Sequence, residues 1–163
     1  MILEIPYFGQ IDTKLLNRSY RLSTEVKGQL ISLDINFKAG NIDESRIVLL
    51  AEFLNNIDHI IATSWNAIQY DFENGSEVSE FLNFHFDELD EDDLKILLRT
   101  TDKSLSVEQQ MLSVTEIKRI GFYPEEKEIF AILDFKLDED ISQYILVVNM
   151  KDDKTINYIT MES

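Results

Sequence analysis

The stretch IVLLAEFLNNIDHIIATSWNAIQYDF, Ile47 to Phe72, decides how the rest of the chain is read. Ile47, Leu50, Leu54, Ile57, Ile61, Trp65, Ile68 and Phe72 recur at steps of three and four. An α-helix completes a turn in about 3.6 residues, so these side chains share one stripe. Asp43 and Glu44 suit the start of such a helix, where anions meet the positive end of its dipole. Asn74-Gly75 suits its close, because glycine tolerates the left-handed residue past a helix end. The expectation is one long helix over about residues 43–73, with any kink near Ala62-Thr63-Ser64.

Downstream, Ser76 with Ser79 and Glu80 opens a second helix, with Val78, Leu82, His85 or Phe86, and Leu89 on its apolar face. Asp90 is a natural cap for a third, short helix that buries Leu94, Ile96, Leu97 and Leu98. Thr100 to Val107 reads as loop, and Glu108 to Met111 fits either helix or loop.

Upstream the period is two. Tyr20, Leu22, Thr24 and Val26 alternate with Arg21, Ser23 and Glu25; past Lys27-Gly28, Ile31, Leu33, Ile35 and Phe37 alternate with Ser32, Asp34 and Asn36. That is a β-hairpin with one wet face. Ile2 to Ile5 reads as a short strand ended by Pro6, with a turn at Gly9. After the helices the period returns to two. Val114–Tyr123 is a strand whose alternation slips around Ile117–Ile120, with Gly121 as a candidate bulge. Pro124–Lys127 is a turn, Ile129–Phe135 a strand, and Asp138–Ser142 a connector. Tyr144–Met150 and Ile156–Met161 flank a turn at Lys151–Lys154, and the last strand runs close to the C-terminus.

Strands, then helices, then strands indicate an α+β fold. An antiparallel sheet is expected from an N-terminal hairpin and a C-terminal meander, with the helical layer on one face. Whether hairpin and meander share one sheet stays open at this level. A length of 163 residues suits a single domain, and 44% hydrophobic against 28% charged residues is globular composition. With no cysteine, disulfides, thiol nucleophiles and thiolate metal sites are excluded. The N-terminus lacks a signal-peptide pattern and no apolar run is long enough to span a bilayer, so a cytoplasmic protein is expected.

Charge is segregated. Between Ile47 and Leu94 there are twelve acids and no Lys or Arg, so 48 residues carry −12 of the net −16. Phosphate backbones and anionic membranes call for basic patches, so neither nucleic acid nor membrane is an expected partner. A basic protein is. The candidate contact residues are Glu77, Glu80, Phe84, Asp87, Glu88 and Glu91. Helical spacing sets Phe84 away from Val78, Leu82 and Leu89, as an exposed aromatic ringed by acids, which suits a binding hot spot.

Catalytic signals are lacking. No Gly-x-Ser-x-Gly, phosphate-binding loop or dinucleotide fingerprint occurs, and there are only five glycines. His85 and Glu88, three apart, make half of a metal pattern, while His59 has no acid at helical spacing. The run Asp90 to Asp93 lacks the spacing and central glycine of a calcium loop, and helix capping explains it. No catalytic residue, metal or cofactor is assigned.

The segments Pro6-Tyr7-Phe8-Gly9-Gln10-Ile11-Asp12, Ile120-Gly121-Phe122-Tyr123-Pro124 and Tyr158-Ile159-Thr160-Met161-Glu162-Ser163 resemble a family of bacterial proteins known only as a domain of unknown function. The resemblance spans the chain and implies a small cytosolic bacterial protein, with no activity or catalytic residues attached. By analogy, small acidic families of this kind look like immunity proteins that block a toxin. The expected function is therefore non-enzymatic binding of a basic partner. The alternatives are a small-molecule site between sheet and helices, or an enzyme without a recognisable motif.

Overall fold

The structure, a computed structural model, describes residues 1–138 and 140–163. Strands β1 (Ile2–Ile5) and β2 (Gly9–Asp12) form a small hairpin of their own. Strands β3 (Ser19–Val26) and β4 (Gln29–Asn36) follow, then helices α1 (Glu44–Asn55), α2 (Ile57–Asn74), α3 (Glu77–Glu88), α4 (Glu91–Leu97) and α5 (Val107–Ser113). Strands β5 (Glu116–Phe122), β6 (Ala131–Lys136), β7 (Ile145–Met150) and β8 (Ile156–Glu162) complete the chain. The fold is α+β.

Hairpin and meander share one sheet, in the order β3-β4-β5-β6-β7-β8. The join is parallel: Leu33 lies opposite Ile120 and Ile35 opposite Phe122, while every other pairing in that sheet is antiparallel. The sheet is therefore mixed, a departure from the purely antiparallel expectation. Parallel neighbours need a long crossover, and the five helices supply it. They lie over the face formed by Ile31, Leu33, Ile35, Ile120, Phe122, Leu133, Phe135, Leu146 and Val148, all buried.

The β3–β4 turn is where it was expected. Lys27 and Gly28 both have positive φ, 50° and 80°, the two-residue geometry whose twist matches a hairpin. The first hairpin contains a strand that was not anticipated, β2, entered through Tyr7 and Gly9 at φ 68° and 78°. It delivers Ile5 and Ile11 to the core.

The long helix is two helices, broken at Asn56 and not near Ala62-Thr63-Ser64. Asn56 sits at φ −116°, ψ 32°, outside helical values. Its backbone N–H reaches back only to the Phe53 carbonyl at 3.1 Å, and its side-chain amide donates to the Glu52 carbonyl at 2.8 Å. Asparagine side chains compete for backbone groups in this way and end helices. The break changes which residues face the core. Ile47, Leu50, Phe53 and Leu54 of α1 and Ile57, Ile60, Ser64 and Ile68 of α2 are buried, whereas Ile61, Trp65 and Phe72 are only half-buried.

Asp90 caps α4 as expected, accepting from the Asp93 N–H at 2.8 Å. Ile96, expected in the core, is 56% exposed. The ambiguous stretch before β5 is α5, opened by a reciprocal capping box between Ser106 and Gln109. The slip in β5 is a bulge between Ile117 and Arg119 and not at Gly121. The connector expected over residues 138–142 includes Glu139, which lies outside the described residues.

Arg46 fixes the start of α1 on the end of the sheet. Its guanidinium donates to the carbonyls of Pro124 (2.6 Å) and Glu126 (2.7 Å) and to Asp152 (2.9 Å), and it stacks over Phe130. Two turns of the meander are thus held by one residue of the crossover.

Candidate functional site

Helix α3 carries the expected contact residues. Val78, Phe81, Leu82 and His85 form its buried side. At 100° per residue, Glu77, Glu80, Phe84, Asp87 and Glu88 fall together on an arc beside that face. Glu80, Asp87 and Glu88 are exposed and Glu77 is half-buried; Glu91, exposed, starts α4. Among the described residues, no acid from Asp58 to Asp93 takes part in an ion pair. Lys38, Arg46, Lys118, Arg119, Lys151 and Lys154 pair instead with acids outside that range. The helix is held in place by Asp71 of α2, whose carboxylate accepts from the Val78 N–H at 2.7 Å and so caps the first turn of α3.

Phe84 is not the exposed aromatic it was expected to be. It is half-buried, its ring 4.4 Å from that of Tyr144 and 5.4 Å from His85. The pair braces α3 against the segment leading into β7. The exposed aromatic of α3 is Phe86, 46% accessible, on the opposite flank from the acids.

His85 is buried, with both ring nitrogens occupied. Nδ1 lies 2.8 Å from the Phe81 carbonyl, which can only accept, so Nδ1 carries the proton. Nε2 then accepts from the Ser142 hydroxyl at 2.7 Å, and that oxygen accepts in turn from the Tyr144 N–H at 3.1 Å. Neither nitrogen is free to join Glu88 around a metal. Among the described residues, no group of three or more His, Asp or Glu side chains could hold a metal ion. Millimolar Ca²⁺ or Mg²⁺ is accordingly expected to leave the melting temperature unchanged. A saturable rise, lost in an Asp90→Asn/Asp93→Asn variant, would contradict the capping role of this run.

Burial lowers the pKa of His85 below its ordinary 6.5, the Phe81 carbonyl opposing this. As pH falls through 6.5, the unfolded chain takes up a proton that the folded chain refuses, so stability falls with acidification in that window. A series of urea titrations from pH 7.5 to pH 5, about one unit above and about one and a half units below the ordinary value, should show this decline. His85→Gln should flatten it; an unchanged profile in that variant would remove His85 as the cause.

A second polar site, not anticipated from the sequence, lies on the sheet face away from the helices. Arg119 Nε and Nη2 grip Asp34 at 2.6 and 2.9 Å; Nη1 donates to Asp134 at 3.1 Å and Nη2 to the Tyr123 hydroxyl at 3.1 Å. The supposedly wet face of the hairpin is therefore closed at Asp34, whose side chain is 1% exposed. Burial raises the Asp134 pKa, with Arg119 opposing the rise. Gly121 lies beneath the guanidinium, where a Cβ would collide with Arg119 and press on Asp34. Arg119 thus links β4, β5 and β6 across the parallel join.

Clefts border α2. One of about 230 Å³ between the β3–β4 turn and α2 has Ile31, Ile61, Trp65 and Ile117 as its floor and Lys27 and Asp58 at its rim. Another, of about 380 Å³, separates α2 from α5 and shares Trp65. The first is smaller than the ~300–1,000 Å³ usual for ligand pockets.

Fold and surface together define an α+β protein with a crossover helical layer that presents unpaired carboxylates. No family model, no curated protein and no solved structure matches the chain. Among the described residues, no helix is long and apolar enough to cross a membrane.

Proposed function

We propose that the protein is a non-enzymatic binding module whose α3–α4 surface docks a basic protein. The observation that carries this reading is the set of exposed, unpaired acids on one arc of α3, Glu80, Asp87 and Glu88, continued by Glu91. A one-signed surface attracts a complementary one over distance and raises the association rate. An immunity-like role, masking a cationic toxin, is the particular form that analogy with other small acidic families suggests.

Glu80→Lys/Asp87→Lys/Glu88→Lys is expected to slow association at least tenfold at low salt, since steering contributes ~10–10³ in rate, with little change in melting temperature. The wild-type rate should also fall as salt rises, exposed charges being screened beyond ~8 Å at physiological ionic strength. Capture from the source cells with both proteins, followed by kinetics on what is captured, gives the answer. Equal partners at equal rates would leave the acids as a solvated face. Phe84→Ala serves as a stability control, because its ring braces Tyr144.

A further inference from the structure

The six-stranded sheet ends differently on its two sides. At β8 it is flanked by α3, which lies against that strand. At β3, among the described residues, it has a neighbour on one side only, β4. Val26 and Gln29 close the two-residue turn, so they form a hydrogen-bonded pair, and such pairs recur at every second residue. Val26, Thr24, Leu22 and Tyr20 therefore spend their backbone groups on β4. The N–H and C=O groups of Ser19, Arg21, Ser23 and Glu25 point out from the edge, and these four residues are all exposed.

Natural edges are blunted by charge, proline or brevity. This one runs eight residues, holds no proline, and carries one charge of each sign, Arg21 and Glu25, disposed equally about Ser23. Neither forms an ion pair among the described residues. Arg21 lies opposite Asp34, but that carboxylate is already gripped by Arg119.

We propose that β3 is a homodimer seam: a second copy adds its own β3 antiparallel about a two-fold axis at Ser23. In that register Ser23 pairs with its mate, and Arg21 of each copy lies opposite Glu25 of the other. The outward-pointing residues become hydrogen-bonded partners, and two Arg21–Glu25 pairs neutralise all four charges. Leu22 then meets Thr24 and Tyr20 meets Val26, extending the apolar layer over the seam. A two-fold contact of this kind closes on itself and does not propagate. The large negative charge of each copy does not oppose it. Five strand spacings of about 4.8 Å place the α3 side of the sheet roughly 24 Å from β3, several screening lengths away at physiological salt.

Sedimentation equilibrium of the full chain from micromolar to near-millimolar concentration tests this. Wild type should approach twice the 19.0 kDa chain mass. Arg21→Glu or Glu25→Arg alone opposes like charges at two positions and should weaken association about tenfold or more. The double exchange Arg21→Glu/Glu25→Arg recreates both pairs and should restore it. Ser23→Pro should abolish association yet keep the wild-type circular dichroism and melting, because the lost N–H points outward. The α3 charge reversal should leave the dimer intact, which separates this test from that of partner binding. A chain that stays at monomer mass, a double exchange no better than the single changes, or a dimer indifferent to Ser23→Pro would each overturn the seam.

Discussion

Arg119→Ala is expected to lower the unfolding free energy by about 3–5 kcal/mol, the cost of leaving a buried charge without its partner. Asp34 is almost wholly enclosed and Asp134 mostly so, at 1% and 13% exposure. Without the guanidinium the two carboxylates remain near each other, with the neutral Asn36 amide, donating to Asp34 at 2.6 Å, in place of a compensating charge. Arg119→Lys keeps the charge but loses the two-pronged geometry, so it should fall between alanine and wild type. The deficit should also depend on pH. Burial already raises the Asp134 pKa, and Arg119 restrains that rise; removing Arg119 lifts it further. The folded variant then holds a proton that the unfolded chain has released. Its stability should decline as pH climbs from the ordinary carboxylate range toward neutrality. Urea titrations at pH 4.5 and pH 7, about half a unit above and about three units above the ordinary range, should show a smaller loss at the lower value. A loss under about 1 kcal/mol at pH 7 would mean that water already satisfies the network.

Leu54→Ala should cost about 2–5 kcal/mol, as removal of a fully buried aliphatic side chain does when its surroundings cannot collapse. Leu54 is 1% exposed in the last turn of α1, beside Phe53, whose ring lies 4.5 Å from Phe130. Asn55→Ala, one residue on and exposed, should change stability by no more than about 0.5 kcal/mol. Ile61→Ala separates the two-helix arrangement from a single straight helix. In a single helix it would cost as much as Leu54→Ala. With Ile61 half-buried beside the Trp65 cleft, about 1–2 kcal/mol is expected, because only part of the side chain leaves water on folding. Equal costs at Leu54 and Ile61 would place the break elsewhere.

The candidate surface was partly legible. Spacing along α3 was enough to group Glu77, Glu80, Asp87 and Glu88, because neighbours on a helix surface are decided within a few residues. Phe84 departs from its expected exposure for a non-local reason: Tyr144, which packs against it, lies 60 residues further along the chain and comes to α3 only when β7 joins the sheet. His85 could be placed on the inner half of the helix, where the Phe81 carbonyl one turn back fixes its tautomer, but the hydroxyl that meets its other nitrogen, Ser142, lies 57 residues away. The break at Asn56 has a local signal in the sequence, the consecutive asparagines Asn55 and Asn56 between apolar residues.

The features legible in the sequence alone are ones with a short physical range. Alternation gave the β3–β4 hairpin, the Lys27-Gly28 pair its turn, Asp90 its cap, and the order of elements an α+β class with a negative helical layer. Tertiary structure alone decided how distant pieces meet. The parallel join of β4 to β5 depends on a crossover of five helices. The Arg119–Asp34 grip joins residues 85 apart, and no periodicity encodes it, since a charged residue in a strand reads as solvent-facing until its partner closes over it. The reason is common to both: local propensity acts through neighbouring dihedral angles, whereas pairing across the sheet is chosen by the whole core once it forms.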